Sequence, residues 1–179
     1  MARRPSKLAH SRQSRPRQPA AVPMREFSQS LPMALLRARE AVMKHFRPAL
    51  RQSGLTEQQW RVLRALAWLG EIEITELART VVILGPSLSR ILRDLEARRF
   101  IERRTPETDL RRTVVTIAAE GMKLIDAVAP ASEAIYASIA RRVGEGRLSD
   151  LHDMLGVLER SLDGKNAVRP PKPGTNSDE

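Results

Sequence analysis

The chain has 179 residues, 41% of them hydrophobic, and its 31 Lys and Arg against 21 Asp and Glu give a formal charge of +10. That length suits one domain with tails, and that apolar share supplies a core, which excludes wholesale disorder. The absence of cysteine excludes a disulfide framework, thiolate zinc sites, cysteine catalysis and thiol redox sensing. No apolar run approaches the roughly 18 residues of a membrane span and no signal-peptide segment is visible, so a cytoplasmic protein is expected. Six aromatics (Phe27, Phe46, Trp60, Trp68, Phe100 and Tyr136) leave packing to aliphatic side chains, which leans towards helix.

Residues 1–25 hold most of the positive excess: Arg3, Arg4, Lys7, Arg12, Arg15, Arg17 and Arg25, with no acid and with Pro5, Pro16, Pro19 and Pro23. Such a segment lacks apolar periodicity and reads as a disordered basic arm over 1–27, either tracking phosphates or simply solvated. Ser30-Leu31-Pro32 opens a helix that runs to about Gln52, with Leu31, Leu35, Val42, Met43, Phe46 and Leu50 on one stripe. Arg39 falls on that same stripe, and a cation buried there needs a partner. A capping box, Thr56-Glu57-Gln58-Gln59, starts a second helix carrying Trp60, Leu63, Leu66 and Ala67 and ending near Gly70.

Glu71 to Ile74 reads as a short strand, and Thr75 as the cap of a short helix. A turn ending in Leu84-Gly85-Pro86 leads to another helix, Pro86 to about Arg99. There Leu88, Ile91, Leu92 and Leu95 face inward and Ser87, Ser89, Arg90 and Arg93 face elsewhere. Two short helices joined by a tight turn fit a helix-turn-helix. Ile101 to Arg104 and Thr113 to Ile117 are strand-like around a polar loop, so a β-hairpin wing follows. Glu120 to Val143 reads as a long helix bent near Pro130. Gly144 and Gly146 interrupt it, and a last helix places Leu148, Leu151, Met154, Leu155, Leu158 and Leu162 on one face. Residues 163–179 read as a second loose tail. The terminal helices carry more apolar surface than a lone winged domain covers, which points to a symmetric dimer suited to a palindromic site on DNA.

Over residues 28–162 the chain resembles the MarR family of regulators. The wing segment Asp109-Leu110-Arg111-Arg112-Thr113-Val114-Val115-Thr116-Ile117-Ala118-Ala119-Glu120-Gly121 carries the strongest likeness. Ile117-Ala118 stands where the family pattern has Leu-Thr, and Gly85 stands where a larger residue can occur. Ser30 to Glu40 and Thr56 to Arg64 look like the branch of homoprotocatechuate-degradation repressors. The resemblance implies a mainly helical winged helix-turn-helix over 28–162, with dimerisation helices at both ends. It implies that Pro86 to Arg93 enters the major groove of double-stranded DNA, where Arg90 and Arg93 suit guanine and Ser87 and Ser89 suit phosphates or bases. Arg111 is then the minor-groove residue, Asp109 orients it or braces the hairpin by an ion pair, and Arg103, Arg104 and Arg112 are phosphate contacts. An effector carboxylate on Arg39 is expected, with Leu35, Met43, Phe46 and Trp60 packing its ring and Ser30 or His45 adding a hydrogen bond. The alternative for Arg39 is a structural ion pair. The function expected is a repressor of an aromatic-catabolic operon, released by a small aromatic acid or its thioester. Hydroxyphenylacetate-like acids lead, and indole-acetic and cinnamic-type acids stay open.

An enzyme is not expected: His10, His45 and His152 fall in separate segments, with no metal-ligand spacing, nucleophile elbow or phosphate loop, and no cofactor is implied. The competing class is a non-specific architectural DNA binder without an effector, driven by the basic arm.

Overall fold

The computed structural model describes residues 24–106 and 112–163. The chain divides into two compact units, Met1–Arg39 and Glu40–Glu179. In the first, a 3-10 turn at Phe27–Gln29 precedes helix α1, Leu31–Gln52, whose bounds straddle the division. The Ala34 amide donates to the Ser30 carbonyl at 2.9 Å, and Pro32 sits in the first turn, where its missing donor leaves no bond unmade.

In the second unit α2, Glu57–Leu69, starts on the capping box that the sequence announces. The Gln59 amide donates to the Thr56 hydroxyl at 3.2 Å and the Gln59 side chain accepts from the Thr56 amide at 2.8 Å. Gly70 ends the helix at φ +71, a left-handed backbone natural to glycine. Then come β1 (Ile72–Glu73), α3 (Ile74–Thr80), α4 (Gly85–Ala97), β2 (Ile101–Arg104), β3 (Val114–Ile117), α5 (Ala119–Val143) and α6 (Glu145–Asp163). The strands form one antiparallel sheet in the order β1-β3-β2, with Ile72 opposite Val115 and Ile101 opposite Ile117. A helix-turn-helix followed by a hairpin wing is therefore present.

Three local expectations change. Thr75 is not the cap of α3: the chain enters that helix straight from the sheet, with Glu73 in extended conformation as N-cap. The Ile74 amide is spent on the Thr113 carbonyl at 3.1 Å, and the Thr75 hydroxyl donates back to the Glu73 carboxylate at 2.8 Å. Gly146 does not interrupt anything, because α6 begins at Glu145 and Gly144 alone, at φ +97, makes the break. The apolar stripe of α1 is buried only at its end. Phe46 and Leu50 are enclosed and Met43 half-buried, whereas Leu31, Leu35 and Val42 are exposed.

The core is aliphatic, as the composition requires. Val62, Leu63 and Leu66 of α2 meet Leu77 of α3, Leu88, Leu92 and Leu95 of α4, Ile101 of β2 and Val115 of β3, with Ile125 and Val128 from α5. Gly121 lets the first turn of α5 press against Phe100, whose carbonyl accepts from the Ala118 amide at 3.0 Å. A Cβ at Gly121 would lie 2.1 Å from that carbonyl oxygen.

Candidate nucleic-acid interface

Burial of Leu88, Ile91, Leu92 and Leu95 fixes the rotation of α4 and leaves Pro86, Ser87, Ser89, Arg90 and Arg93 in solvent together. The expected reading face is thus assembled, with two guanidinium forks on one side of a helix. The Arg93 Nε donates to the Ser89 carbonyl at 3.4 Å. The turn before α4 is braced from within: the Arg61 guanidinium donates to the Val81 carbonyl at 2.9 Å, and the Ile83 amide to the Ala78 carbonyl at 3.1 Å. Between buried Val81 and Ile83, Val82 stands outward at φ +51.

At the base of the wing, the arginines expected on phosphates hold carboxylates. Arg103 of β2 donates from Nε to Glu96 of α4 at 2.8 Å, and its Nη2 bonds the same oxygen. That bond holds the Glu96 carboxyl below its ordinary value and raises the Arg103 guanidinium. Arg103 is therefore a brace between helix and wing rather than a free phosphate arm. Arg104 grips Glu71 with two bonds, at 2.8 and 2.7 Å, and Arg112 donates to Glu73 at 3.0 Å. The Thr75 hydroxyl first, and Arg112 after it, keep the Glu73 carboxyl below its ordinary value. Pairs this exposed add little stability, but they set the direction of each side chain. Asp109 and Arg111 lie outside the described residues.

The expected effector contacts fall in both units. In the first, Ser30 lines an open hollow with Met24, Arg25, Phe27, Leu31 and Pro32, while Leu35 is exposed. Arg39 is exposed too and already has an interaction of its own. Burial therefore does not by itself demand a ligand for it. In the second unit, Phe46 and Trp60 are buried in the core with Met43 packed against it. His45 is separate from them, exposed on the rim of a groove with Ala134, Ile135, Ser138, Ile139 and Arg142 of α5. No cluster of metal-ligating side chains occurs among the described residues.

Comparison with known proteins places this geometry. A family model described as MarR family matches residues 53–112, from the lead-in to α2 to the end of the wing loop. The chain is 35% identical over 146 residues, 82% of its length and 100% of the relative's, to the HTH-type transcriptional regulator FarR of Neisseria gonorrhoeae. It is 36% identical over 126 residues, 70% of its length and 85% of the relative's, to the homoprotocatechuate degradative operon repressor of Escherichia coli. The chain belongs to the MarR family. It is a transcriptional regulator of the winged helix-turn-helix type. Two solved structures are similar to it as well. NadR in complex with 4-hydroxyphenylacetate is 36% identical, with a TM-score of 0.68 over 76% of this chain and 97% of that one. The transcriptional repressor CouR bound to a 23-mer DNA duplex is 25% identical, with a TM-score of 0.68 over 76% and 97%.

Several further contacts of this MarR-family chain are not among those expected. Tyr136 of α5 meets Phe46 edge-on at 5.0 Å between ring centres, and Arg64 lies 5.8 Å over the Trp60 ring. Arg47 joins Glu40, at 2.5 Å, and Glu57, which raises its guanidinium pKa through those bonds. Only Arg64 is within reach of a spacing argument, four residues after Trp60 on the same helix.

Proposed function

We propose that this regulator is a homodimeric repressor of an aromatic-compound catabolic operon, leaving a palindromic operator when a small aromatic carboxylic acid binds. The observation that carries the DNA half is the α4 face: Arg90 and Arg93 exposed opposite four buried aliphatic side chains. Such forks suit the O6 and N7 of guanine in the major groove. Ser87 and Ser89 beside them bond phosphates or bases, and Arg104 and Arg112 position the wing on the backbone. The effector half is supported by kinship to the homoprotocatechuate repressor and to NadR, whose crystal form holds 4-hydroxyphenylacetate. Arg39 is the cation we assign to the effector carboxylate, joining or replacing its present interaction. An effector moves such an equilibrium only through its different affinity for the DNA-binding and released states.

The test is a thermal-shift titration with 4-hydroxyphenylacetate, paired with fluorescence anisotropy on a duplex selected by the protein from a random pool. At about 100 times its dissociation constant the acid should raise the melting temperature by several degrees and release the duplex. Arg39→Ala should keep duplex binding and lose the shift. Full stabilisation of Arg39→Ala would move the anchor elsewhere. Equal affinity for every duplex would mark an architectural binder instead.

A further inference from the structure

Val82 and Leu84 are among the most exposed large apolar side chains described, at 82% and 80%, and they stand on either side of buried Ile83. Both line one shallow depression with Ala78, Arg79 and Ile83, on the turn that feeds α4. Val82 is strained as well as exposed. Its φ of +51 puts a β-branched residue in the left-handed region, which glycine or asparagine enters at less cost. The turn enforces that backbone, since Val81 and Ile83 are anchored in the core and the Val82 amide donates to the Arg79 carbonyl at 3.2 Å. Burial returns nothing for the Val82 side chain. A strained residue kept without a folding benefit suggests a use outside the fold.

We propose that Val82 and Leu84 form an apolar step that packs on thymine methyl groups at the edge of the major groove. This inference rests on the reading that α4 enters that groove. Leu84 is the N-cap of α4, and the N-terminal residues of a recognition helix are those that reach base edges. The step leads in sequence into the helix that carries Arg90 and Arg93 but is opposite to them in chemistry. Phosphate offers an aliphatic side chain nothing, whereas the thymine C5 methyl is an apolar group on the major-groove edge of the bases. Guanine is then read by the arginines and thymine by the step.

The experiment uses the full chain and a duplex selected by it from a random pool. Val82→Asn relieves the backbone and should raise the melting temperature by about 2–4 °C. It should nevertheless weaken the selected duplex about fivefold, as should Leu84→Ala, the worth of one or two buried methyl groups. Affinity for a random duplex and the salt slope should not change, because no phosphate contact is lost. Replacing thymines one at a time by deoxyuridine should weaken wild-type binding at one position at least, with no further loss in the double variant. Unchanged affinity in both variants overturns the proposal. So does an equal loss on random DNA, or a wild type indifferent to every deoxyuridine. Arg90→Ala separates the two readings: if it still binds the selected duplex fully, the groove assignment of α4 fails, whatever Val82 and Leu84 do.

Discussion

Glu96 sits on the shoulder of α4 with its carboxylate turned to Arg103 of β2, and this pair ties the helix to the wing. Its carboxyl is held below the ordinary value of 4.5 by the Arg103 bond. A carboxyl depressed in the folded state contributes stability that is fully present above its unfolded value. That contribution is lost as pH falls through the lower folded value. Glu96→Gln should therefore melt below wild type at pH 7, and the difference should close as pH falls below the ordinary carboxyl value. Calorimetry across that range checks it, and a constant difference would show that the residue acts by packing alone. Partners of this kind were illegible beforehand. Arg104 and Arg112 find carboxylates 33 and 39 positions away, separations at which no helical or strand period applies. Position in the wing made these arginines look like free cations, and only the pairing of β3 with β1 on one side and β2 on the other brings Glu71 and Glu73 to them.

Elements were far more legible than contacts. The α2 capping box and the four inward aliphatics of α4 depend on neighbours three or four residues away, which the sequence displays. Thr75 misled because threonine before a helix is a good cap, while the preceding strand had already settled how α3 begins. α1 misled differently: its stripe is continuous in sequence, yet Leu31, Leu35 and Val42 are exposed and Phe46 and Leu50 are buried. The junction of β3 with α5 rests on Gly121, where an added methyl meets the Phe100 carbonyl oxygen. Gly121→Ala should cost about 1–3 kcal/mol, since the main chain of Phe100 has to give way. A denaturant midpoint shift at unchanged slope would confirm it. An unchanged midpoint would mean that α5 slides along Phe100 without penalty.

At the scale of the molecule, α6 has no enclosed side chain among the described residues, and Leu151, Met154, Leu155, Val157 and Leu162 are all exposed. An apolar face of that extent is what a two-fold partner would cover in the dimer proposed above. Met154→Glu with Leu155→Glu should leave the chain folded, halve its mass by light scattering and weaken duplex binding. A dimer that survives both charges would place the contact on other surfaces. Within the second unit, β3 is the inner strand, bonded to β1 on one side and β2 on the other, and Ala118 alone separates it from α5. There is no slack link in that path. In the proposed dimer, α5, the helix-turn-helix and the sheet of one protomer are therefore expected to turn as one piece. Two spectroscopic labels on α3 and β2 of the same protomer should keep their separation when effector binds. Labels on the two α4 helices of a dimer should not.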